Sequence, residues 1–162
     1  MLNIVTLGDG RLKKHSIVVP DFDGEIETLA EQMFETMYVN KGIGLAAVQV
    51  GKLIRLFITH IPNDGPRVFI NPEVVETSVE QGTYEEGCLS IPEVNADVVR
   101  PAHVKIQAWN LKGRPFSLDA DDLMARVIQH EIDHLNGVLF IDRLDPKKRE
   151  RLVKRYEKVS HS

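Results

Sequence analysis

The chain has 162 residues, a formal net charge of −4 and a single cysteine. Hydrophobic residues make up 43% and charged residues 27%, as in an ordinary globular domain. One cysteine excludes an intramolecular disulfide and fits a reducing compartment. No signal peptide and no membrane-spanning run is visible, and the acidic balance argues against a surface that binds DNA. We therefore expect one cytoplasmic, monomeric domain over residues 1–162, with no membrane or DNA partner.

Three segments have the apolar spacing and end signals of helices. The first is 24–40, with Asp21 or Asp23 near its start, and the third is 146–159, with a proline in its first turn. The second is 121–136, which the acidic residues at 119–122 would cap.

Short β-branched or aromatic-rich runs separated by Gly, Pro and Asn predict antiparallel strands. They lie at 53–59, 67–70, 73–79, 97–100 and 103–110, and a short extended piece is expected at 138–141. Strands flanked by segregated helices predict the α+β class.

The second helix contains the run His-Glu-Ile-Asp-His, which matches HExxH. Because each helical residue turns about 100°, His134 lies only about 40° from His130 and one turn along the helix. Glu131 lies on the same side, while Ile132 and Leu135 point toward the core. Two imidazole nitrogens beside a carboxylate base favour a divalent metal with a bound water.

A catalytic metal usually has three protein ligands, so a third is needed. Cys88 is one candidate, because a thiolate is a strong ligand and Gly87 permits close backbone approach. A lone cysteine is as often a small buried hydrophobe, so spacing alone leaves this open. The other candidates follow the helix: Asp142, Asp145, Glu150, Glu157 and His161.

Residues 42–51 read Gly-Ile-Gly-Leu-Ala-Ala-Val-Gln-Val-Gly. The glycines allow backbone groups to meet an extended ligand, and a strand edge here could pair with a peptide. A tight turn packed through small residues, with Gln49 as a solvated surface amide, is the alternative interpretation.

Three segments, GIGLAAVQ (42–49), EGCLS (86–90) and QHEIDHLNG (129–137), stand in this order along the chain. In order and spacing they closely resemble the signature motifs of the peptide deformylase family, and the resemblance covers about residues 2–158. It implies antiparallel β-sheets packed around a central HExxH metal-binding helix, with an N-terminal and a C-terminal helix.

The resemblance also implies a set of roles for the site residues. Cys88, His130 and His134 would bind the metal, with water or hydroxide as the fourth ligand. Glu131 would be the general acid/base. The metal would be Fe(II), and Zn(II), Ni(II) or Co(II) could occupy the site in purified protein. Two donors would hold the oxyanion, namely the Gln49 side chain and the backbone N–H of Leu89.

The implied substrate is the N-formyl-methionyl end of a nascent polypeptide. Metal-bound hydroxide would attack the formyl carbon and release formate and a free amino terminus. The Gly42–Gly44 backbone would hold the peptide in extended form. The candidates for the methionine pocket are Ile43, Leu123 and Val127, with the stems of Glu86 and Arg126. Leu123 and Val127 could equally be ordinary core residues.

Some relatives carry an arginine just after EGCLS, whereas residues 94–97 here contain none. If that arginine normally pairs with the glutamate of the motif, Glu86 needs another partner, and Arg100 or Arg126 could supply it. Asp133 could also pair with Arg100 and thereby orient the metal helix.

The last helix is strongly basic, because residues 145–162 hold seven Lys or Arg against three acidic residues. Leu152, Tyr156 and Val159 form one face. A solvated polar face on a docked helix explains the charge, and the resemblance also suggests contact with ribosomal RNA. The basic residues on the opposite face are Lys147, Arg151, Lys154 and Lys158.

Two other functions use the same helix. An HExxH endopeptidase would normally take a Glu or His further along the chain as its third ligand. A non-catalytic protein with a structural metal would normally close the site with a fourth protein ligand.

Overall fold

The computed structural model describes residues 1–160 and shows the expected α+β architecture. The helices are α1 (Gly24–Val39), α2 (Asp122–Leu135) and α3 (Pro146–Ser160). Short 3-10 helices cover Gly10–Lys13, Ala47–Val50 and Phe140–Arg143. The strands are β1 (Gly44–Ala46), β2 (Leu56–Thr59), β3 (Arg67–Thr77), β4 (Gln81–Cys88), β5 (Ile91–Pro101), β6 (His103–Trp109) and β7 (Pro115–Asp121). None of the helices within residues 1–160 has the length and apolar character that a membrane crossing requires.

The seven strands pair in antiparallel fashion and form two sheets, while Ile17 and Ile54 outside them form an isolated parallel bridge. The larger sheet has the order β1-β2-β3-β6-β7, and β4 and β5 form a separate two-stranded sheet. Helix α2 contacts β1, β2 and β7 of the first sheet and β5 of the second. Helix α2, which carries the HExxH motif, therefore lies between the two sheets, as the family resemblance implies.

Two clusters of apolar side chains make up the core. The first surrounds α2 and includes Ile128, Leu135 and the stacked rings of Phe57 and Phe69, whose centroids lie 4.5 Å apart. The second is centred on Met33 and its neighbours on α1, packed against β1 and β2. Leu135 is fully buried and Ile132 is half-buried against the first cluster, as helical periodicity predicts.

The helices begin and end close to the predicted residues. Asp23 caps α1, because its Oδ1 accepts hydrogen bonds from the backbone N–H groups of Glu25 and Ile26. Asp121 occupies the N-cap position of α2, but its side chain makes no capping hydrogen bond. The predicted acidic residues therefore stabilise this helix end only through the attraction of their charge to the positive end of the helix dipole.

The strands differ more from prediction. Strand β3 joins two predicted strands, and Asn71, with φ of 49°, interrupts its pairing with β6. The Asn71 carboxamide accepts from the N–H of Val19 and donates to its carbonyl, which fixes this irregular backbone. Strands β4 and β7 were not predicted, although Phe116, Leu118 and Ala120 in β7 do alternate with polar residues.

The extended piece expected at 138–141 is wrong in its second half, because Leu139 is extended but Phe140 begins a 3-10 helix. Asp142 stabilises the turn by accepting a hydrogen bond from the N–H of Leu139 at 2.9 Å. Both Phe140 and Ile141 are buried, whereas a strand would turn one of them outward.

Helix α3 docks through Leu152, Val153 and Tyr156, which pack against the first core cluster. Val159 is 46% exposed, so the buried face is shorter than the sequence predicts. The last two residues, including the candidate ligand His161, lie outside the described residues.

Candidate metal centre and active site

Helix α2 presents His130 and His134 toward one point, with ring centroids 5.0 Å apart. Both side chains are buried, because the helix runs between the two sheets. Cys88 ends β4 and brings its Sγ to 3.3 Å from Nε2 of His134. The ligand atoms of Cys88, His130 and His134 all lie within 4.8 Å of one another. One thiol and two imidazoles converging at this distance fit a borderline-soft divalent metal.

Within residues 1–160 no other cluster of His, Cys, Asp or Glu converges in this way. Asp142, one of the alternative ligands, instead pairs with Arg149 at 2.8 Å. The tertiary structure therefore favours Cys88 over the downstream carboxylates as third ligand.

Glu86 orients the first histidine of the cluster. Its Oε1 accepts a hydrogen bond from Nδ1 of His130 at 2.9 Å, which leaves Nε2 as the ring nitrogen available to a metal. Arg100 donates to both Glu86 oxygens, at 2.7 and 2.9 Å, and Arg126 donates to Oε2 at 2.8 Å. Burial alone would raise the pKa of the Glu86 carboxyl, yet the hydrogen bonds from His130 and Arg100 hold that pKa well below its usual value.

Both arginines that the sequence offered as partners of Glu86 therefore bind it, and Arg100 also reaches Asp133 at 2.8 Å. Asp133 has a further partner, Arg143, that no local sequence pattern indicates. Its Nε and Nη2 donate to the two oxygens of Asp133, at 3.0 and 2.6 Å. Arg143 is the last residue of the 3-10 helix that follows α2, and only the folded chain brings it back to α2.

Glu131 lies beside the histidines with its carboxyl group buried. Burial raises the pKa of Glu131 to about 7, with His130 opposing the rise and the Glu86 charge adding to it. Oε1 has no hydrogen-bond partner among the described residues. A buried carboxyl group that titrates near neutral pH and has an unused oxygen is suited to proton transfer.

Gln49 is buried rather than solvated, with 2% of the residue exposed. Its Oε1 accepts from the N–H of Ala46 at 2.9 Å. Its Nε2 donates to Oγ of Ser90 at 3.1 Å and lies 3.4 Å from Sγ of Cys88. One amide hydrogen therefore points toward Cys88 of the ligand cluster and the other toward Ser90, and the surface-amide interpretation is wrong.

A cleft of about 670 Å³ is lined by Gln49, Cys88, His130 and Glu131. The predicted pocket residues divide by exposure: Ile43 and Leu123 are more than a third exposed, whereas Val127 is buried. Arg126 lines the cleft, and its guanidinium donates to Glu86 and to the carbonyls of Gly82 and Val98. The three motifs also contribute Gly42, Gly44, Glu86 and Leu89 to the lining of the cleft.

The site combines two histidines of an HExxH helix, a cysteine from a strand and a buried glutamate at a cleft. This combination is typical of metal-dependent hydrolases. The sequence model of the polypeptide deformylase family matches residues 1–150. Peptide deformylase from Brucella suis is 46% identical over 161 residues, which cover 97% of this chain and 92% of that protein. The Rhodopseudomonas palustris protein is 49% identical over 163 residues, covering 97% and 93%. The chain belongs to the polypeptide deformylase family.

Solved structures agree with this assignment. The crystal structure of peptide deformylase from Ehrlichia chaffeensis matches with a TM-score of 0.96 and 37% identity, covering 99% of this chain and 97% of that one. Its complex with actinonin matches with a TM-score of 0.96 and 38% identity, covering 100% and 99%. The likeness therefore extends over the whole described fold.

Proposed function

We propose that this chain removes the N-formyl group from the N-terminal formyl-methionine of nascent polypeptides and releases formate. The observation that carries the proposal is the convergence of Cys88, His130 and His134 beside Glu131 and Gln49, at a cleft that all of them except His134 line. Because the ligands come from both β4 and α2, residues 1–162 would act as one catalytic domain. The substrate would place the enzyme in the cytoplasm, where chains are translated.

Cys88, His130 and His134 would hold one divalent metal, and we propose Fe(II), with Zn(II), Ni(II) and Co(II) also suited to the ligand set. When bound, the metal supplies a Lewis acid for the formyl oxygen and lowers the pKa of a water. Three protein ligands leave a coordination position open, which distinguishes a catalytic site from a structural one.

Glu131 would take the proton of the attacking water and pass it to the departing amine nitrogen. Its buried carboxyl group with an unused oxygen supports this role. The amide of Gln49 and the backbone N–H of Leu89 would donate to the oxyanion as the formyl carbon becomes tetrahedral. The Gln49 amide already points toward the cluster.

The methionine side chain would lie against Ile43, Leu123 and Val127, which line the cleft together with the stems of Glu86 and Arg126. Strand β1 is the edge strand of its sheet and, among the residues that the structure describes, pairs only with β2. Its other edge, continued by the backbone of Gly42 and Ile43, is therefore available to pair with an extended peptide.

The basic face of α3 would contact ribosomal RNA close to where nascent chains emerge. Lys147, Arg151, Lys154 and Lys158 are exposed, while Leu152 and Tyr156 on the other face pack against the core. A helix docked in this way presents its cations outward, which suits a phosphate backbone.

The experiment is formate release from formyl-Met-Ala-Ser by anaerobically prepared protein whose metal content is assayed in the same sample. We expect fast release from the wild type and from Glu27→Gln, an exposed carboxylate on α1. Glu131→Gln should keep the metal and lose the activity. A fully metallated wild type that releases no formate would overturn the proposal, and cleavage of internal peptide bonds would favour an endopeptidase.

A further inference from the structure

The side chain of Gln49 is held in one orientation by two groups. The N–H of Ala46 donates to Oε1 at 2.9 Å, and Oγ of Ser90 accepts from Nε2 at 3.1 Å. A flip of the carboxamide would set Nε2 against the Ala46 donor and leave a buried donor without an acceptor. One hydrogen of Nε2 is therefore committed to Ser90, and the other points toward Cys88, whose Sγ lies 3.4 Å away.

Ser90 is itself fixed by its backbone. Its carbonyl accepts from the N–H of Leu7 at 2.8 Å, and its own N–H donates to Sγ of Cys88 at 3.4 Å. The residue is fully buried, so water does not compete for its hydroxyl group. Removing the hydroxyl would therefore leave both backbone contacts in place and change only the bond to Gln49.

We propose that Ser90 is a positioning residue, which uses its hydroxyl oxygen to hold the Gln49 amide with one N–H directed at the reacting centre. The inference rests on the oxyanion role proposed for Gln49. A donor that is oriented before the substrate arrives needs no reorganisation in the transition state. Ser90 thus acts through Gln49 and touches neither substrate nor metal.

The test uses Ser90→Ala in the zinc-loaded enzyme, because Zn(II) has a filled d shell and leaves NMR signals sharp. We expect kcat to fall roughly tenfold, which corresponds to one hydrogen bond, with KM within about twofold and metal content unchanged. The side-chain amide resonances of Gln49, assigned by their loss in Gln49→Leu, should shift and approach each other as the amide gains freedom.

The matched control is Ser16→Ala, which removes another buried hydroxyl whose oxygen has no hydrogen-bond partner within residues 1–160. It should leave kcat and the Gln49 amide signals unchanged. A loss of activity common to both variants would reflect general packing and would overturn the inference.

A double variant separates positioning from an independent effect. Ser90→Ala should cost no further activity in a Gln49→Leu background, because its only route to the reaction is already removed. The same tenfold loss in that background, or unmoved Gln49 amide signals in Ser90→Ala, would overturn the inference. A metallated wild type without activity would instead refute the proposed function, and the amide signals would then decide alone whether Ser90 orients Gln49.

Discussion

The backbone of Gly44 lies directly against the carboxyl group of Glu131. A Cβ at Gly44 would come within 2.7 Å of Oε2 of Glu131 and 2.8 Å of Cγ1 of Val127. Real contacts of a Cβ are longer, so a side chain here would displace the carboxyl group or the strand. The second glycine of the GIGLAAVQ segment therefore leaves room for the proposed acid/base.

Gly44→Ala should lower kcat/KM by at least about 10²-fold while the metal is retained, because a shift of about 1 Å in a reacting group costs that much. Gly42→Ala should cost less, since its nearest neighbour at 2.9 Å is the end of the flexible Leu89 side chain. Gly65→Ala, with nothing within 4 Å, is the control. Formate release and metal content measure the effect, and a Gly44→Ala enzyme with normal kcat/KM would contradict it.

Gln49→Leu should reduce kcat by about 10²–10³ with KM little changed, because the amide would donate mainly to the transition state. The matched control is Gln129→Leu, which removes a side-chain amide from α2, the helix that carries the two histidines. The Gln129 amide donates to the carbonyls of Pro101 and Ala125. Steady-state kinetics of the two variants tests the prediction. Equal losses in both would show that Gln49 has no special role.

Arg100→Met should destabilise the fold by about 3–5 kcal/mol, because it leaves the buried carboxylates of Glu86 and Asp133 short of a partner. It should also weaken metal binding roughly 10–100-fold, since Glu86 orients His130. Urea unfolding and metal titration measure the two effects.

The control for Arg100 is Lys154→Ala, which breaks an exposed pair with Glu150 and should change stability by less than about 1 kcal/mol. Equal unfolding midpoints for the two variants would mean that the buried network contributes little.

A triple charge reversal on α3 should weaken ribosome binding and reduce its dependence on salt, because fewer phosphates would be neutralised. The variant replaces Lys147, Arg151 and Lys158 by Glu. These side chains are exposed, so the packed face of α3 stays intact, unlike in a truncation of the helix. The control carries the same charge change at Lys13, Lys14 and Lys112. Sedimentation with ribosomes at several salt concentrations measures binding, and equal binding of both variants would remove α3 from the interface.

Several features could be predicted from local patterns. The boundaries of α1, α2 and α3 followed from apolar spacing and end signals to within one residue or two. Strand β4 was missed, because its residues are mostly polar and exposed on a two-stranded sheet, so they show no apolar alternation. The sequence predicts two strands where the structure has the single strand β3, because the Asn-Pro pair resembles a turn. In the structure the hydrogen bonds between Asn71 and Val19 stabilise the backbone at this pair, and the strand continues past it.

The sequence by itself determined that His130 and His134 share a helical face with Glu131 nearby, because helix geometry relates residues only a few positions apart. The sequence alone does not select the third ligand, since Cys88 lies on a strand and is 46 positions away from His134. The same holds for Glu86, which is 44 positions from His130, and for the arginines that bind it. The pairing of β4 with β5 and their packing against α2 bring Cys88, Glu86 and the arginines to the histidines. A local sequence pattern does not encode contacts between residues so far apart in the chain.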